Sequence, residues 1–72
     1  MSITVEITCG ELLTDLMDAF ARSGCLAHRT AATACRVLHP LASNEREAWL
    51  EVAFFTRAWE LAHPGVGATL RR

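Results

Sequence analysis

The sequence predicts a mainly α-helical domain of three helices preceded by one short strand. Residues 2–8 alternate between apolar and polar side chains, whereas 9–23, 27–39 and 45–62 repeat their apolar residues at helical spacing. The chain has 72 residues, enough for one domain spanning 1–72. A chain this short buries only about 60% of the surface its unfolded form exposes, so oligomerisation is a usual support. The hydrophobic fraction of 51% is too high for intrinsic disorder.

In the first segment, Ile3, Val5 and Ile7 alternate with Thr4 and Glu6, a pattern that marks a strand. No second strand-like segment is visible, so this strand is expected either to pair with another chain or to stay loose. Thr8 and Glu11 have capping-box spacing and open the first helix. Leu12, Leu13, Leu16, Met17 and Phe20 share one of its faces, and Glu11, Asp15 and Asp18 line the other. Gly24 ends it.

The second helix, over 27–39, is stopped by Pro40. Its stripe of Ala27, Ala31, Ala34, Cys35 and Leu38 is small enough for another helix to approach closely. Asn44 and Glu47 repeat the capping-box spacing and begin the third helix. His63, Pro64 and Gly65 end it, and 64–72 reads as a flexible tail.

The third helix carries the functional expectation. At about 100° per residue, Ala48, Val52, Phe55, Trp59 and Ala62 form one apolar stripe. Leu50, Phe54, Ala58 and Leu61 form a second on roughly the opposite side, and Trp49 lies on a mostly polar flank. Two short helices cannot cover both stripes and also pack against each other. The expected outcome is a homodimer sealed by one stripe, either Leu50, Phe54 and Leu61 or Val52, Phe55 and Trp59. A partner protein would take the other stripe together with Trp49 and the acidic line Glu11, Asp15 and Asp18. Trp supplies much of the energy at such contacts, and the carboxylates would steer a basic surface.

Other chemistry finds less support. No nucleophile–base pair or phosphate-cradling glycine loop is visible, so the chain reads as a non-enzyme without a cofactor. Cys35 and His39, four apart on a helix, are the pair that a small metal-binding protein would use. Cys25 and His28 cannot join them, because His28 and Cys35 lie about 10 Å apart along a continuous helix. Three cysteines, no leader pattern and no apolar run near the roughly 18 residues of a membrane span place the chain in the cytoplasm. A net charge of −1 does not favour nucleic acid.

The order strand, capped helix, Gly24 turn and helix over residues 2–39 resembles the ribbon–helix–helix DNA-binding family. That resemblance implies an alternative role as a transcription regulator, with two chains pairing their strands into a ribbon for the major groove. Ser2, Thr4 and Glu6 would face DNA, and Ile3, Val5, Ile7, Leu12, Leu13, Leu16 and Phe20 would fill the shared core. The strand carries no Lys or Arg; Arg29 and Arg36, seven apart on the second helix, form a basic stripe that would meet phosphates, a carboxylate-rich partner or only water. The preferred expectation remains a homodimeric protein-binding module that inhibits or adapts a partner.

Overall fold

A computed structural model describes residues 2–72 and gives the order β1 (Ile3–Ile7), a 3-10 turn (Gly10–Leu12), α1 (Leu13–Arg22), β2 (Leu26–Ala31), β3 (Ala34–Leu38), α2 (Glu45–Ala62) and β4 (Ala68–Arg71). The strands form one antiparallel sheet in the order β2-β3-β1-β4. This β-α-β-β-α-β arrangement is the split-βαβ, or ferredoxin-like, topology. It corrects the expectation of a three-helix, mainly-α domain. The predicted helix 27–39 is the β2–β3 hairpin, and the predicted tail 64–72 contains β4.

β1 is the centre of the fold. Ile3, Val5 and Ile7 point to one face and are almost completely buried. β3 pairs with one edge of β1 and β4 with the other, so all its backbone partners lie in its own chain. Both expectations for this strand, pairing with another chain or staying loose, are therefore overturned, and with them the shared ribbon of the ribbon–helix–helix arrangement.

The hairpin forms because alternate residues suit the two sides of the sheet. Cys35 and Val37 are buried beside β1, and Arg36 and Leu38 face out. Alanine prefers helices locally, yet pairing with β1 gives 34–38 a buried ladder that a helix here would lack. The turn is Ala32–Thr33, with no positive φ at either residue. A β-bulge between Arg29 and Ala31 absorbs the resulting irregularity. The turn folds back onto the start of the first helical segment. A Cβ on Gly10 would sit 2.8 Å from the Ala32 carbonyl oxygen, so only glycine fits there.

α1 buries Leu13, Leu16 and Phe20. The predicted Thr8–Glu11 capping box does not form, since Thr8 Oγ1 instead accepts from the Gly67 N–H at 3.0 Å, tying the end of β1 to β4. Gly24 terminates α1 in the left-handed region at φ 86°. There Gly24 N–H donates to the Ala21 carbonyl at 3.1 Å and Cys25 N–H to the Phe20 carbonyl at 3.0 Å, a Schellman motif.

α2 begins at Asn44, whose side chain accepts from the Glu47 N–H at 2.8 Å. Glu47 reaches back to the Ser43 N–H at 3.3 Å, one residue before the expected position. Val52, Thr56 and Trp59 are the buried residues of α2. Thr56 satisfies its hydroxyl on the Val52 carbonyl at 2.7 Å. Both helices cover the Ile3–Val5–Ile7 side of the sheet, and the other side has no covering layer.

Candidate protein-binding surface

The register defines the uncovered sheet face. His28, Arg36, Thr4 and Arg71 form one row across all four strands. In the next row Glu6 accepts from Arg71 Nη1 at 2.8 Å and from Thr33 Oγ1 at 3.4 Å. The hydrogen bond from Arg71, then its charge, hold the Glu6 carboxyl below the usual range. Leu26 and Leu38 form an apolar pair at one end.

Arg29 and Arg36, expected on one helical stripe, lie on opposite faces of this sheet. Arg29 is cross-strand from the buried Cys35 and turns to the Ala32 carbonyl (3.1 Å) and Thr14 Oγ1 (3.2 Å). The basic stripe expected of Arg29 and Arg36 is therefore not formed.

The helical layer differs in kind. At about 100° per residue, the buried line of α2 runs through Val52, Thr56 and Trp59, and its opposite line through Leu50, Leu61 and Phe54. Those three side chains are 57%, 77% and 70% exposed. The two stripes expected on this helix are both present, and the structure assigns them. Val52 and Trp59 are core and Phe55 packs against it, which removes that stripe as a dimer seam. Ala58 joins the exposed ridge, and Leu50 and Phe54 lie successive turns apart along it.

The flanks of the ridge are charged. On the α1 side, Trp59 Nε1 donates to Asp15 Oδ2 at 2.8 Å, and His63 Nε2 lies 3.2 Å from the same oxygen. The His63 ring stacks on Trp59 with centroids 4.2 Å apart, and its Nδ1 contacts the Trp59 carbonyl at 2.8 Å. Asp15 is thus the tie between the two helices as well as part of the acidic line. Glu11 and Asp18 are exposed beside it. A cleft of about 290 Å³ separates α1 from α2, walled mainly by Leu16, Ala19, Phe20, Phe55 and Trp59, with Arg22 at one end.

On the other flank Arg57 reaches Glu60 at 3.6 Å, and Glu60 in turn accepts from the Ala68 N–H at 2.9 Å. Trp49 lies on this β4 side, half-buried against the core with the Arg72 guanidinium 5.2 Å from its ring centroid. Its flank is therefore a packed edge and a cation contact, which α2 periodicity alone did not reveal.

Residues with ligand chemistry are dispersed. Cys35 and His39 lie along and just beyond a strand, about 13 Å apart at strand rise, so they cannot share one ion. Among the described residues no group of three His, Cys, Asp or Glu is placed to hold a metal. Burial pushes the Cys35 thiol up to about 11 despite the neighbouring Arg29 charge, and burial with Glu51 raises Cys25. His39 Nε2 contacts Glu51 Oε1 at 2.5 Å and its ring meets Phe55 edge-on, a link between β3 and α2 that sequence reading missed. No helix among the described residues is long and apolar enough to cross a membrane.

Comparison with family models, curated proteins and solved structures finds no match to this chain. The topology alone does not assign a function, because one fold hosts many unrelated activities.

Proposed function

We propose that this chain is a non-enzymatic protein-binding module that inhibits or adapts a partner, with the outward ridge of α2 as a protein-contact surface on which its assembly depends. The observation that carries this reading is the exposure of Leu50, Phe54 and Leu61 on one line of a helix whose opposite line already fills the core. Together they present on the order of 400 Å² of apolar surface, the size at which a patch on a monomer tends to be functional. Asp15 and Asp18 on one flank and Arg57 on the other supply the polar rim of a protein interface. Three unpaired thiols, two of them buried, support a reducing, cytoplasmic setting.

The test is paired capture from a native lysate with and without nuclease, using the wild-type chain and Phe54→Asp, each checked for native circular dichroism. The reading expects a protein that survives nuclease and is lost with Phe54→Asp. Material retained equally by both would refute the ridge as the contact surface. Material that disappears with nuclease would move the function to nucleic acid and the His28–Arg36–Arg71 row.

A further inference from the structure

We infer that the occupant of the α2 ridge is a second copy of this chain, with the two α2 helices packed side by side and parallel about a two-fold axis. This rests on the protein-binding reading of the ridge and adds the identity and orientation of what binds there.

The argument begins with the asymmetry of the ridge. α1 lies on one flank of α2, as the Asp15–Trp59 bond and the shared cleft show. β4 lies on the other, as the Glu60–Ala68 bond shows. On the α1 flank Asp15 and Asp18 stand beside the last turns of α2 and Arg22 stands lower, at the cleft with Phe55, while Arg57 leans toward the β4 flank through Glu60. The opposite charges also stand at matching heights. Asp15 is beside the last turns of α2, where it meets Trp59 and His63, and Asp18 is one turn further along the antiparallel α1. That brings Asp18 level with Arg57.

A two-fold axis parallel to α2 preserves height and exchanges flanks. It lays the α1 flank of one copy over the β4 flank of the other, so Asp15 and Asp18 face the partner's Arg57. The same operation sets Leu50 against Leu50, Phe54 against Phe54 and Leu61 against Leu61. An antiparallel two-fold keeps each flank on its own side. The two Arg57 side chains would then start about 5 Å apart along the axis. Like charges placed so close select against that arrangement. The parallel pair sets Asp18 against Arg57 and keeps the two Arg57 side chains apart.

The area is of the right order. A standard interface takes about 800 Å² from each partner, of which the three ridge side chains supply about half and the charged flanks the remainder. The alternative seams are weaker. The free edge of β2 is interrupted by the bulge at Arg29 and Ala31, a feature that blocks strand addition, and the sheet's outer face already pairs Glu6 with Arg71.

Sedimentation equilibrium of the full chain from low to high micromolar concentration tests the proposal, with Leu50→Cys in a Cys9→Ser background as the probe of orientation. The expected result is a reversible dimer, monomeric as Phe54→Asp and weakened about tenfold by Arg57→Asp, with affinity restored in Arg57→Asp/Asp18→Arg. Leu50→Cys should form a disulfide-linked dimer under mild oxidation. In an antiparallel pair those sulfurs would be about 16 Å apart along the axis, far beyond bonding reach. A chain that stays monomeric throughout overturns the second-copy assignment. So does a dimer that neither cross-links through Leu50→Cys nor recovers in the double variant. If the chain is monomeric yet loses a captured protein on Phe54→Asp, the ridge still binds protein and only this inference falls. If Phe54→Asp changes neither capture nor association, both fall.

Discussion

The uncovered face of the sheet and the outward face of the helical layer both meet solvent, but they are built differently. On the sheet, period-two alternation sends Ile3, Val5 and Ile7 inward and leaves Thr4 and Glu6 outside, and Glu6 is held by Arg71 and Thr33. That surface balances much of its own charge. On α2, large apolar side chains point both ways, and the outward set stays exposed, with Phe54 meeting the ring of Phe55 edge-on. A helix needs only one apolar stripe to fold onto a sheet. The second stripe is therefore surplus to folding, and under the proposed reading it is the surface that meets another protein.

The largest expected effect separates the two sides of α2 directly. Trp59→Ala removes a buried indole and its bond to Asp15, and should cost about 3–5 kcal/mol, a large share of what a domain this small has. Phe54→Ser, five residues away on the exposed line, should change stability by no more than about 0.5 kcal/mol when measured below the association range. Urea unfolding of both variants at low protein concentration checks the contrast. A loss of more than about 1 kcal/mol in Phe54→Ser would mean the ridge already packs within its own chain.

How much of this was legible in the sequence follows from where each element gets its stability. α1, α2 and β1 announce themselves because their periodicity is local: Leu13, Leu16 and Phe20, the two stripes of α2, and Ile3–Val5–Ile7. The hairpin is held by partners distant in sequence. Cys35 meets Val5 and Val37 meets Ile3, whereas Ala27, Ala31 and Ala34 read locally as helix. Its turn, Ala32–Thr33, lacks the Asn-Gly or Gly signal that marks tight hairpins. β4 has only four residues behind Pro64 and Gly65, too few to show alternation. Missing β3 and β4 made β1 look unpartnered and suggested a strand shared between chains. The exposure of Leu50, Phe54 and Leu61 was legible despite these errors because it follows from the periodicity of α2. The Asp15–Trp59–His63 cluster did not show, since it joins residues 44 positions and more apart.

A smaller effect distinguishes the two faces of the sheet by pH. Cys35, on the covered face, has its thiol pushed up to about 11 from an ordinary value of 9.0. The unfolded chain gives up this proton first, so the stabilisation is complete below about pH 9 and is lost as pH rises through about 11. Cys25 shifts in the same direction and adds to the slope. The sequence contains neither Tyr nor Lys, so cysteines are the only side chains that titrate in this window. Urea unfolding at pH 8 and above pH 10 should show a loss on the order of 2–3 kcal/mol. Cys35→Ala, though less stable at every pH, should show a distinctly shallower loss. An unchanged slope in that variant would place Cys35 in contact with water.

The smallest effect lies on the open face and has the opposite sign. Arg71 holds Glu6 below its ordinary value through a hydrogen bond and its charge, so this pair stabilises the fold above that value and the contribution disappears as pH falls through the folded one. Both side chains are about half exposed, so salt should screen the pair and the change should be modest. Glu6→Gln should flatten the acid limb of the stability profile slightly, and moderate salt should bring wild type and variant together. A large, salt-resistant loss in Glu6→Gln would instead show that the outer row is a buried contact.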